Sequence, residues 1–381
     1  AEVATIYTSP DGAGNNGPVC SGSTLNLTAK TVAGATYSWT GPNGFTSSAQ
    51  NPTLTFTAAA AGTYTLQVTS NGCVATAYTN VTSSGNDGQW TGNISTDWNN
   101  VNNWCSGVLP TSATDVIINS GATNMPVIGG NAFSKNLTIN VGATVTTNPG
   151  GTLNVAGNIA NNGTMTNNGT TNFNGTGAQQ TFTGISNFNN VTLNNTNGLL
   201  LPATINVNGN LTLTSGILNA NNFAIAIAGN WINNAGTTAF AGGTSGVVFS
   251  GSANQTISGT AVTTFNNITV INPGFILSLA VNASIAGNLT VSKGTFDLLS
   301  FTANRKTAGG ILTVDNSATL KIGGANTYPA NYTTSNLVTS GTVEYSGTNQ
   351  TVSSQNYGNL TLSSSTGAVT KTLPATAMTV S

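Results

Sequence analysis

The sequence predicts an all-β chain in two parts, a small β-sandwich followed by a long β-solenoid. Three observations carry this expectation. Strand formers (Thr, Val, Ile, Leu, Phe) alternate with Gly and Asn turn signals along the whole length, and no stretch keeps a helical period over three turns. Charged residues make up only 4% of the 381 residues, and histidine is absent, where about 25% charge is usual. Finally, one phrase recurs: FNGTGAQQTFTGISNFNNVTL at 173–193, FSGSANQTISGTAVTTFNNITV at 249–270 and YSGTNQTVSSQNYGNLTL at 345–362. Each copy runs aromatic, small polar, Gly, a polar run with Gln and Thr, then aromatic, Asn and an apolar-Thr-apolar strand.

Residues 1–82 read as the sandwich. Alternating segments occur at TLNLTA (24–29), ATYSWTG (35–41), TLTFTA (53–58), GTYTLQVTS (62–70) and CVATAYTNV (73–81), separated by turn signals such as GPNG and SNG. Tyr64, Leu66 and Val68 fall on one face, and Trp39 lies between Cys20 and Cys73. These two cysteines stand near either end of the segment and are expected to form an inter-sheet disulfide, which implies an oxidising location. Cys105 is then left over as a small buried apolar residue; the main competitor is a bond from Cys105 to Cys20 or to Cys73. Tyr64 stands nine residues before Cys73, so the tyrosine-corner hydrogen bond, which needs a spacing of about two, is not expected.

Residues 83–118 read as a linker (the small-residue run TSSGNDGQ, 82–89) and a Trp-rich cap containing Trp90, Trp98 and Trp104. Three indoles so close together suit either sugar stacking or a plug for the raw hydrophobic end of a solenoid, and the plug is the favoured expectation.

From 119 to 381 the repetition takes over. Apolar-Thr-apolar strands recur behind Asn, as at Asn136, Asn190, Asn210, Asn267 and Asn359. The aromatic preceding each, Phe133, Phe188, Phe265 and Tyr357, recurs at unequal gaps of 55, 77 and 92 residues. A propeller would keep one length; a solenoid tolerates added rungs. Shorter echoes point to rungs of roughly 15–25 residues. About 13 of them at the ~4.8 Å strand spacing make a rod on the order of 60 Å long. Asn suits left-handed turn positions and can ladder along the axis, whereas stacked like charges would repel. The Asn-x-Thr triplets are formally glycan acceptors but recur in register, which assigns most of them to strand entry.

Chemistry has few residues to work with. Seven basic residues spread over the chain exclude a phosphate-binding stripe and hence nucleic acid, and no apolar run is long enough to span a bilayer. Without histidine, neither a zinc site nor a Ser-His-Asp nucleophile can be assembled in the usual ways, and calcium-loop motifs are absent. No cofactor is expected. Only Asp297 and Asp315 are acidic between 119 and 340; with Lys293, Arg305, Lys306 and Lys321 they form the densest charge cluster. A hydrolase pair requires the two carboxylates to face each other across one rung. The expected reading is therefore not an enzyme.

The first segment resembles the Ig/PKD-like modules of bacterial surface proteins. The stretch WTGNISTDWNNVNNWCSGVLP (90–110), with the recurring VEYSGTNQTVSSQNYGNLTL pattern, resembles repetitive cell-surface proteins of the Bacteroidota, including giant gliding adhesins and other type IX secretion substrates. That resemblance implies secretion, surface display and an adhesive or scaffolding role, with copies of the chain or surface glycans as partners. The sequence stops in mid-pattern at TLPATAMTVS, which suggests that further rungs or another copy continue the stack, head to tail. A strand at 2–9 carrying Val3, Thr5 and Tyr7 is the expected assembly strand.

Overall fold

The computed structural model describes residues 12–20, 23–83, 88–337, 340–364 and 367–381. Two separate hydrophobic cores divide it. The N-terminal core lies among two antiparallel sheets. One joins Ala13–Asn15, Thr24–Ala29 and Thr53–Thr55; the other joins Thr46–Ser47, Thr36–Thr40, Gly62–Ser70 and Cys73–Val81. Thr24–Ala29 alternates exposed and buried without a break, so Leu25 and Leu27 meet Trp39, Phe56, Tyr64 and Leu66 inside while the threonines face out. The Trp39 indole donates to Gln50 O at 3.1 Å. Tyr64 Oη donates to Ala60 O, four residues upstream, at 2.9 Å. Tyr64 thus bonds the backbone a few residues upstream although it stands nine residues before Cys73.

The remainder is a parallel β-solenoid of about 12 turns. Its longest ladder runs through twelve strands, from Asn131–Ser134 to Asn359–Leu362, each hydrogen-bonded to the strand one turn on. At the ~4.8 Å spacing that ladder rises about 50 Å. The register stacks like on like. Ile205, Ile225, Val247, Ile268, Leu289 and Leu312 form one inward column; Val207, Ile227, Phe249, Val270, Val291 and Val314 form the next. All twelve are 2% exposed or less. Burying each on both sides by its own kind stabilises the column by roughly 1.5–3 kcal/mol per side chain before entropy is counted. Between them the outward column runs Asn206, Ala226, Val248, Thr269, Thr290 and Thr313.

Turns follow the expected chemistry. Asn43, Asn71, Asn221, Asn222 and Asn331 hold positive φ between 49° and 70°, the left-handed region that Asn tolerates. The winding begins earlier than position 119. Gly88–Gln89 already pairs in parallel with Val116–Ile118, which pairs in turn with Leu137–Ile139. The Trp-rich segment is thus part of the first turn.

The disulfide differs from the expected one. Cys20 bonds Cys105, with Cα atoms 4.8 Å apart, and Cys73 is a free, exposed thiol. The reason is the direction of one strand. Val19, next to Cys20, bridges Ser83 at the end of the strand that Cys73 begins. Ten extended residues put Cys73 about 30 Å from that end, beyond the ~7 Å Cα limit for a disulfide. The segment holding Val3, Thr5 and Tyr7 lies outside the described residues.

Candidate functional site

The recurring phrase builds one corner of the coil three times. Its first aromatic (Phe173, Phe249, Tyr345) ends a strand and points into the core. Two residues on, the chain must pass close over the rung below. A Cβ at Gly175 would lie 2.4 Å from Ala156 O, at Gly251 2.5 Å from Ala228 O and at Gly347 1.8 Å from Gly324 O. Only glycine fits there. The Gly amide, bent out of the ladder, donates to a buried glutamine: Gly175 to Gln180 Oε1 at 2.9 Å, Gly251 to Gln255 at 3.0 Å and Gly347 to Gln350 at 2.8 Å.

Each glutamine then fastens two rungs together. Gln180 Nε2 donates to Val155 O and Gly157 O of the preceding turn; Gln255 donates to Ile227 O and Gly229 O; Gln350 donates to Ile322 O and Asn326 O. The three are at most 3% exposed, so these bonds form where water cannot compete. A further donor reaches Oε1 from the next turn: Asn195 Nδ2 at 3.1 Å in the first copy and Asn272 Nδ2 at 2.7 Å in the second. In the third copy the Lys371 ammonium takes that place and also donates to Gly347 O and Thr348 O. Desolvation lowers the Lys371 pKa.

The second aromatic closes the corner. Phe173 meets Phe188 with centroids 6.3 Å apart, and Phe249 meets Phe265 at 6.2 Å. In the third copy the Tyr345 and Tyr357 hydroxyls lie 3.1 Å apart. Burial raises the pKa of Tyr357 and of its neighbours Tyr328 and Tyr332. The strand-entry asparagines knit successive turns. Asn190 Oδ1 accepts from Asn210 N, Asn210 Oδ1 from Asn230 N and Asn230 Oδ1 from Thr256 N, each at 2.8 Å. Asn136 and Asn267 do the same one turn on. Phe133 departs from the series: it stands three residues before its Asn, not two. That one-residue shift turns it outward, 40% exposed.

At the other end of the coil the three tryptophans form a closed cluster. Trp104 stands edge-on to Trp90 and to Trp98, with centroids 4.9 and 4.8 Å apart, and all three are 2% exposed or less. Trp90 Nε1 donates to Asn124 O at 2.7 Å and Trp104 Nε1 to Trp98 O at 2.8 Å. Buried Asn103 accepts from Ile94 N and Ser95 N and donates to Asp97 O, which holds the loop that carries them. No indole face is open to stack on a sugar; the cluster covers Ile118, Ile128 and the first turn's core.

The charged residues gather on one late stretch. Asp297, Lys321 and Glu344 stack in register on three successive turns, with Lys321 Nζ 3.9 Å from Glu344 Oε1. Beside them runs a shallow groove lined by Ser300, Ser346, Thr348 and Ser363. Asp297 Oδ1 accepts from Leu299 N and Glu344 Oε1 from Ser363 Oγ. Asp315 is not part of this column. It follows Val314, which registers with Val291, whereas Asp297 registers with Lys321. The two carboxylates therefore do not face each other across a rung, as a glycosidase pair requires. The Arg305 guanidinium is engaged by the backbone carbonyls of Gly287 and Thr307. Among the described residues no group of three acidic, Cys or His side chains gathers to hold a metal, and no helix is long and apolar enough to cross a membrane.

Sequence reasoning passed over the three glutamines and Lys371. The signal was present: every copy of the phrase has a Gln followed directly by Thr, seven, six and five residues after its first aromatic.

Residues 89–196 match a family described as a domain of unknown function (DUF8693). The match spans the Trp cluster and the first turns, including the first Gln corner. No curated protein matches the chain.

Proposed function

We propose that the chain is a non-enzymatic, extracellular structural module of a cell-surface fibre, filament or adhesin, able to stack with further rungs of its own kind. One observation carries this reading: the repeated phrase is consumed internally. Its aromatics, glycines, glutamines and asparagines are spent on joining turn to turn, and what remains outside is a nearly neutral surface in which Thr, Ser and Asn are mixed with apolar side chains such as Phe133, Val141 and Ile276. A surface so poor in acid, base and nucleophile suits a spacer better than a catalyst. The disulfide supports an oxidising location. The paired antiparallel sheets, buried Trp39 and the Tyr64 backbone bond support an Ig/PKD-like module at the front.

The test joins activity and form. Purified chain incubated with a panel of acidic and neutral polysaccharides is expected to release no product, and electron microscopy is expected to show rods or axially repeating filaments. Turnover abolished by Asp297→Asn contradicts the reading. A second reading, carbohydrate binding, is favoured by the hydroxyl-lined groove beside Lys321 rather than by the tryptophans. Calorimetric titration with oligosaccharides, weakened by Lys321→Ala and with unchanged Trp fluorescence, would establish it.

A further inference from the structure

The Cys20–Cys105 bond joins two points that lie far apart along the chain and close together in space. Cys20 sits at the edge of the N-terminal sheets, one residue from the Val19–Ser83 bridge. Cys105 follows Trp104 in the cluster that covers the coil, and its amide donates to Gln89 O at 2.9 Å. The sequence separation of 85 encloses six of the seven N-terminal strands, from Thr24–Ala29 to Cys73–Val81, and all three cluster tryptophans. Among the described residues, the strand Ala13–Asn15 and the bridging Val19 precede the closed loop.

We infer that this disulfide is a mechanical shunt: once Ala13–Asn15 and Val19 are pulled from their partners inside the loop, tension along the chain passes from Cys20 directly to Cys105 and cannot extend the enclosed strands or the Trp cluster. The path follows from connectivity alone. A force applied before Cys20 and after Cys105 meets a covalent bond in parallel with the loop, and that bond cannot lengthen by unfolding. The turns of the coil are in series with the force. Each is held only by its neighbours, so they peel one after another. The six enclosed strands of the front module thus stay folded while the coil behind them extends. Use of such a device rests on the proposed fibre role, but the shunt itself does not.

Single-molecule stretching of the full chain, tethered at residues 1 and 381, tests it. In the oxidised protein the fully extended length is expected to fall short of that in reductant by about 290 Å, from 85 residues at ~3.4 Å each. Reductant is expected to add the rupture of the front sheets, a step absent before. The double variant Cys20→Ser, Cys105→Ser reproduces the reduced trace without reductant, and Cys73→Ser leaves the oxidised trace unchanged. Equal extension with and without reductant, or loss of the shunt in Cys73→Ser, overturns the inference. Either result leaves the polysaccharide assay untouched, so the two proposals fail separately.

Discussion

The front sheets and the coil bury their strands in opposite ways. In the front module the core is assembled across two antiparallel sheets, so Leu25, Trp39 and Tyr64 meet although they are distant in sequence and belong to different strands. In the coil, each buried residue meets its equivalent about twenty positions later, as Ile205 meets Ile225 and Val207 meets Ile227. The first arrangement is cooperative over the whole module. The second is quasi-one-dimensional, its stability a sum over neighbouring turns. Damage in the coil should therefore stay local, and damage in the front module should spread.

The largest effect is expected at the junction of the two. Trp104→Ala removes a fully buried indole that packs against two others, a loss of about 3–5 kcal/mol. Limited proteolysis should then cut between 88 and 139, while peptides beyond 190 stay protected. Gln255→Ala comes next. It leaves Gly251 N, Gly229 O and the Asn272 amide without this partner and reduces Ile227 O to its bond from Ser250 N, at about 3 kcal/mol. Hydrogen exchange should rise in the turns on either side, from 227 to 279, and not at 137–173. The same change at exposed Gln67 of the front module should cost less than about 0.5 kcal/mol by thermal melting. Asn210→Ala, one link of the asparagine ladder, should cost about 1 kcal/mol.

Alkali sharpens the contrast within the coil itself. Burial holds the Tyr328, Tyr332 and Tyr357 phenols neutral in the folded chain, well above the ordinary value of 10.0. As pH rises past that value the unfolded chain loses protons that the folded chain keeps, so stability falls from there upward. Far-ultraviolet melting at pH 9 and pH 11 should show the late turns lost first, and Tyr357→Phe should blunt the loss.

Much of this was legible in the sequence because period and packing coincide. Alternation about Thr marked the inward columns, and Asn before each strand marked the ladder. Legibility failed where direction or parity mattered. Nothing in the spacing of Cys20 and Cys73 says that a nine-residue strand separates them in space. Phe133 shares the pattern of Phe188 but is offset by one residue, and in a strand one residue is the difference between core and solvent. The glutamines were visible as repeated letters, yet their role needs a rung above and a rung below, which no single stretch of sequence contains.

The central claim is that the recurring phrase is a corner fastened by its glutamine. Amide hydrogen exchange of the unmodified chain tests it most directly. Gly175, Gly251 and Gly347 lie outside the strands, yet their amides should exchange as slowly as those of the flanking strands, while exposed Gly177 exchanges fast. Fast exchange at all three, indistinguishable from Gly177, would contradict the account.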